Sequence, residues 1–211
     1  MRIDPLGNQA QGGRRGFSLG GLRWLILLGF GIYAAVSWFG GAKVDPYTGE
    51  KAHYGASADE EVQLGEQAFV QVLNDANAQR ALLPSNSPQS QDVSEIAQRL
   101  INKVPQVTQA LAQQNNQAAP EDYKNFKWSV AVINSQEANA FCLPGGKMAV
   151  YTGLLPVTQN DDALAVVMGH EIAHALLRHG SQRMAQQKLV QMGQMAAGMA
   201  VGGMEDRKSV V

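Results

Sequence analysis

The stretch from Asn160 to Gly180 constrains this chain more than any other. Ala163, Leu164, Val166, Val167, Ile172, Ala173, Leu176 and Leu177 make it strongly apolar. Asn160-Asp161-Asp162 supplies an N-cap and first-turn acids, and Gly180 sits where a C-terminal stop belongs. The pattern predicts a helix buried in a core. Into that helix are set His170, Glu171 and His174, the spacing H-E-x-x-H. Residues four apart share a helix face, so both histidines can aim a ring nitrogen at one metal ion. Glu171, rotated by about a quarter-turn, can hold and deprotonate a metal-bound water. Zinc suits such a site, because it takes imidazole readily, is redox-inert and acidifies its bound water. The chemistry implied is peptide-bond hydrolysis, with the metal polarising the carbonyl. Glu171 would serve as general base and then return the proton to the leaving amine.

Composition narrows the context. A chain of 211 residues holds one ordinary domain plus a tail or anchor. A net charge of −1 gives no reason to expect nucleic acid as a partner. The lone cysteine, Cys142, excludes an intrachain disulfide and a cysteine-rich zinc site. Lying in Ala140-Phe141-Cys142-Leu143, it reads as a small buried hydrophobe rather than a catalytic thiol.

The N-terminal region carries an address. Arg2, Arg14, Arg15 and Arg23 precede or open an apolar run, residues 22–39, of the length that spans a bilayer. Trp24, Tyr33, Trp38 and Phe39 place aromatics near its ends. Residues 1–21 are expected to stay cytoplasmic and the rest of the chain to cross a bacterial inner membrane into the periplasm. The competing reading is a cleaved signal peptide releasing a periplasmic protein, with Ala35-Val36-Ser37 or Gly40-Gly41-Ala42 at the cleavage site. Arg14-Arg15-Gly16-Phe17 partly matches a twin-arginine signal. No cysteine follows the run closely enough to carry a lipid anchor.

Residues 40–56 contain Gly and Pro without periodicity and read as a linker. Ser57-Ala58-Asp59-Glu60 is a capping box, opening a helix striped by Val62, Phe69, Val72 and Leu73. Residues 82–91 read as a loop. Asp92 is expected to open a second helix through Val93, Ile96, Ala97, Leu100 and Ile101, disturbed near Pro105, and the Gln/Asn-rich tract 109–122 to be a solvated helix end and loop. Residues 127–133 alternate like a half-buried strand. Residues 140–143 and 147–151 are extended segments around the turn Pro144-Gly145-Gly146. Such a hairpin either completes a sheet or offers an edge to which a substrate peptide adds itself as a strand.

Asn139 to Gly146, then Tyr151-Thr152-Gly153-Leu154-Leu155, then His170 to Gly180, resemble one family in motif and order. It is the membrane-associated zinc endopeptidases of metallopeptidase family 48, which include HtpX, the CAAX prenyl proteases and Oma-type quality-control proteases. The similarity covers about residues 58–204 and is nearest the bacterial Oma-like branch. The resemblance implies an α+β, zincin-like (gluzincin) domain, mostly helical with a small β-sheet, behind one N-terminal transmembrane helix. It implies one Zn2+ per subunit held by His170 and His174, with Glu171 as catalytic base. Asn139, Ala140, Phe141, Gly145 and Gly146 would line the substrate, and the work implied is degradation of misfolded envelope proteins. Polypeptides and the lipid bilayer are the partners implied. Spacing gives His179 no ligand role: it points away from the histidine pair and reads as a helix-end residue favoured by the dipole.

A catalytic zinc site takes three protein ligands and a water. In this family the third ligand is a glutamate on a later helix. Here residues 181–203 read as one Met-, Ala- and Gln-rich helix, and Glu205, the only later glutamate, comes too early and lacks the acidic pattern around it. The third ligand is therefore expected beyond Val211, with the chain truncated at its C-terminus and residues 205–211 a non-native tail. Two functional classes follow. One is an active zinc endopeptidase; the other is a chaperone-like or binding module, or an inactive fragment, that lacks the third ligand.

Overall fold

The computed structural model describes residues 40–205, together with Leu28, Ile32 and Val36. The expected anchor, 22–39, and the expected tail, 205–211, lie outside the described residues apart from those three and the backbone of Glu205. Among the described residues, no helix is long and apolar enough to cross a membrane.

From residue 43 the described chain forms a short antiparallel hairpin, β1 (Lys43–Val44) and β2 (Lys51–Ala52). Three helices follow: α1 (Ala58–Ala78), α2 (Pro88–Ile101) and α3 (Val104–Gln114). Then come β3 (Ser129–Ile133), β4 (Ala140–Leu143), β5 (Lys147–Tyr151) and the one-turn α4 (Leu155–Thr158). Two long helices complete the described chain, α5 (Asp161–Leu176) and α6 (His179–Glu205). This is a mixed α/β architecture, mostly helical, around small sheets.

Local chemistry sets the boundaries. α1 starts at the expected capping box: Ser57 Oγ accepts from the Glu60 amide at 3.2 Å, and Glu60 Oε2 accepts from the Ser57 amide at 2.8 Å. α2 begins four residues before the expected Asp92. Ser87 is its N-cap and Pro88 its first residue, where a missing N–H costs nothing and the fixed φ suits a helix. Pro105 likewise sits in the first turn of α3 instead of disturbing a helix already under way. α3 carries the polar tract on to Gln114, burying Thr108 and Ala112. The segment expected as an unstructured linker is folded onto the domain. The Asp45 carboxylate accepts from the amides of Tyr47 and Thr48 at 2.8 and 3.1 Å, an Asx turn that closes the β1–β2 hairpin. Gly55 N donates to Ser181 O at 2.9 Å, tying this segment to the start of α6.

The main sheet has the order β3-β5-β4, with β3 parallel to β5 and β4 antiparallel to it. Its pleat sends alternate residues to two cores. On one face Val132, Ala140, Cys142, Met148 and Val150 meet Val93, Ile96 and Ala97 of α2 and Leu164, Met168, Ile172 and Ala175 of α5. On the other, Ile133 and Ala149 meet Phe69 and Ala76 of α1, with Phe141, Leu143 and Tyr151 at the margin. β5, covered on both sides, is the central strand; β4 is an edge. The β4–β5 turn needs glycine twice. Gly145 and Gly146 have φ of +81° and +78°, and a Cβ on Gly146 would lie 2.7 Å from the Trp128 ring.

Candidate metal centre

α5 is held by its cap and by one face. Asn160 Oδ1 accepts from the Ala163 amide at 2.9 Å, and Leu164, Met168, Ile172 and Ala175 are buried against the sheet. The opposite face is open, which corrects the expectation of a wholly buried helix: Val166 and His170 are exposed, and Glu171 and His174 half-buried. His170 Nε2 lies 3.0 Å from His174 Nε2, with the rings edge to face. Two imidazoles bound at about 2.0–2.1 Å to one tetrahedral ion place their nitrogens roughly 3.3 Å apart, so this pair fits one ion with little movement. Among the described residues, no group of three His, Cys, Asp or Glu side chains is arranged to hold a metal. Glu205 ends α6, and its side chain lies outside those described.

Glu171 sits next to the edge strand. Burial, and secondarily the charge of Glu171, push the Cys142 thiol up to about 12, so it stays protonated and packs as a hydrophobe, as expected. Of the residues expected to line a substrate, Asn139 is exposed beside Glu137, and Ala140 faces the α5 core. The Phe141 side chain instead turns to the α1 face, 6.3 Å from the Tyr151 ring, leaving only its backbone for the strand edge. Gly145 and Gly146 are accounted for by the turn itself.

The largest departure from expectation is at the end of α5. Gly180 does not provide the stop. Leu177 caps the helix, Arg178 takes the left-handed conformation at φ +56°, and His179 begins α6. The sharp corner swings His179 back onto the motif, where its Nδ1 lies 2.5 Å from His174 Nδ1. His179 therefore faces His174 rather than away from it. It also lies at a helix N-terminus, where the dipole opposes a positive charge. Burial first, then the positive fields of His174 and Arg183, hold its pKa below the usual histidine range.

Arg178 is locked from three sides. Its Nε donates to Glu61 Oε1 at 2.9 Å and its Nη2 to the same oxygen and, at 2.9 Å, to Ala56 O. Its guanidinium lies 4.3 Å from the Tyr54 ring centroid. Tyr54 in turn donates to Asp45 Oδ2 at 2.9 Å; burial and this bond push the phenol's pKa up, so it remains a donor. None of these residues was singled out by the sequence. Asp59-Glu60-Glu61 reads as three first-turn acids, and nothing local marks the third as buried. The available signal was Asp45-Pro46-Tyr47-Thr48-Gly49, a turn-forming string in the supposed linker.

The profile of Peptidase family M48 matches residues 99–209, more than half of the chain. The chain belongs to peptidase family M48. This M48 chain is 29% identical over 160 residues to the mitochondrial metalloendopeptidase OMA1 of Schizosaccharomyces pombe, covering 76% of this chain and 41% of that protein. It is 33% identical over 112 residues to the mitochondrial metalloendopeptidase OMA1 of Saccharomyces cerevisiae, covering 51% and 29%. Over 57 residues it is 39% identical to the beta-barrel assembly-enhancing protease of Escherichia coli, covering 27% and 12%. The M48 chain thus spans less than half the length of each of these relatives. Metal dependence comes with the family.

Proposed function

We propose that this chain is the catalytic domain of a zinc-dependent metalloendopeptidase, acting on misfolded proteins of a bacterial envelope. The observation that carries it is the His170–His174 pair, two ring nitrogens 3.0 Å apart on the open face of α5, with Glu171 on the same turn. Zinc, when bound, supplies the Lewis acidity that polarises a scissile carbonyl and acidifies water. His170 and His174, whose Nε2 atoms face each other, would hold it. Glu171 takes the proton of the attacking water at a carboxylate oxygen and passes it to the leaving amine. The substrate main chain lies along β4, using the backbone groups of that edge strand beside Asn139 and Ala140. The third ligand this chemistry needs comes from outside the described side chains. The basic N-terminus and the apolar run after it support placement at the inner membrane, with the domain in the periplasm.

In the complete protein, with its third ligand supplied, Glu171→Gln tests the assignment. The variant should keep its zinc, measured by metal analysis, and lose casein hydrolysis by about 10²–10⁴-fold, as removal of a general base does. His170→Ala and His174→Ala should lose both. Wild-type rates from the Glu171→Gln protein would overturn the mechanism. A zinc-loaded wild type that hydrolyses nothing would favour the non-hydrolytic binding module.

A further inference from the structure

His174 uses both of its ring nitrogens. Nε2 faces His170 Nε2 at 3.0 Å, and Nδ1 faces His179 Nδ1 at 2.5 Å. A neutral imidazole carries one proton, and a nitrogen that binds metal must be bare. If His174 presents Nε2 to the ion, its proton sits on Nδ1 and needs an acceptor. His179 Nδ1 is that acceptor, which places the proton of His179 on its own Nε2. We propose that His179 is a positioning residue: it holds His174 as the Nδ1–H tautomer, with Nε2 bare and aimed at the metal. The proposal rests on reading the histidine pair as a metal centre.

The geometry also excludes the simpler idea that His179 is itself a ligand through this nitrogen. Its Nδ1 meets the back edge of the His174 ring, the side away from His170. Five residues of helix would not bring the two rings together; the left-handed Arg178 does, and the Glu61, Ala56 and Tyr54 contacts keep it there. An acceptor behind a ligand's ring fixes the ring's orientation and raises its basicity, and losing one typically weakens metal binding about 10–100-fold.

The test needs no catalysis. The full chain is labelled with ¹⁵N-histidine, stripped of metal with a chelator and held at about pH 8, above the ordinary histidine range. Long-range proton–nitrogen NMR then reads the tautomer of His174. The wild type and His179→Asn, whose Oδ1 can accept in place of Nδ1, should show the proton on Nδ1. His179→Ala should move it to Nε2, the tautomer imidazole favours in water. Zinc affinity, measured by competition with a chromophoric chelator, should fall about 10–100-fold in His179→Ala and be largely restored in His179→Asn. Because the tautomer is read without metal, the two ideas fail separately. A wild type that binds no zinc defeats the metal centre. A His174 that keeps its Nδ1 proton in His179→Ala defeats the positioning role.

Discussion

Two turns shape the site, and they solve one backbone problem differently. Between β4 and β5 the chain reverses through Gly145 and Gly146, both at positive φ. Between α5 and α6 it reverses through Arg178, also at positive φ. Glycine adopts that conformation without steric cost, whereas a residue with a Cβ gives up about 1–2 kcal/mol. The hairpin needs only backbone geometry, so glycine suffices. The corner needs a side chain as well, because the Arg178 guanidinium ties the end of α5 to Ala56 and Glu61. The strain at Arg178 is offset by contacts with residues more than a hundred positions earlier in the chain. A turn made of glycine specifies itself; a turn made of arginine is specified by its partners.

Removing the partner should break the second turn most severely. Glu61 is 3% exposed, and Glu61→Ala leaves a largely buried guanidinium unpaired, which costs about 3–5 kcal/mol. Equilibrium denaturation would read this, and a loss under about 1 kcal/mol would mean that Ala56 and Tyr54 hold the corner without the ion pair. The first turn should break less. Gly146→Ala combines an unfavourable φ with a Cβ 2.7 Å from the Trp128 ring, and about 2–3 kcal/mol is expected. An unchanged melting temperature would show that Trp128 moves aside freely. The smallest effect has the opposite sign. Gly180 lies within the first turn of α6, and a Cβ there meets nothing within 4 Å. Gly180→Ala should therefore stabilise by about 0.5–1 kcal/mol. Destabilisation would mean that Gly180, and not Arg178, carries the left-handed conformation.

The same contrast explains what could be read from the sequence. Asn160 as cap, the apolar stripe of α5 and the Pro-Gly-Gly turn are local signals, and each element they announce is present. Ser87-Pro88 was an equally local signal for the start of α2, but the surrounding Ser, Pro and Asn made the segment read as a loop. His170 and His174 meet because a helix brings residues four apart together. His179 reaches His174 only through the dihedral angles of Arg178, and those depend on Glu61 and Tyr54. Helical periodicity could not foresee that contact. The pleat of β4 was legible in principle, yet only the position of α1 shows which face receives Phe141.

The ties from Gly55, Ala56 and Glu61 to Arg178 and Ser181 also order events in time. They span 117 to 126 positions, among the most distant hydrogen bonds of the described residues. Closing so long a loop is entropically expensive, so contacts of this separation form late in folding. A chain emerging from the ribosome exposes the Asp45 hairpin and the acidic start of α1 long before their partners exist. The motif helix can form while His179 is still unplaced. The backing of His174 therefore depends on contacts that close late, so that a partly folded chain can carry the motif without the oriented ligand.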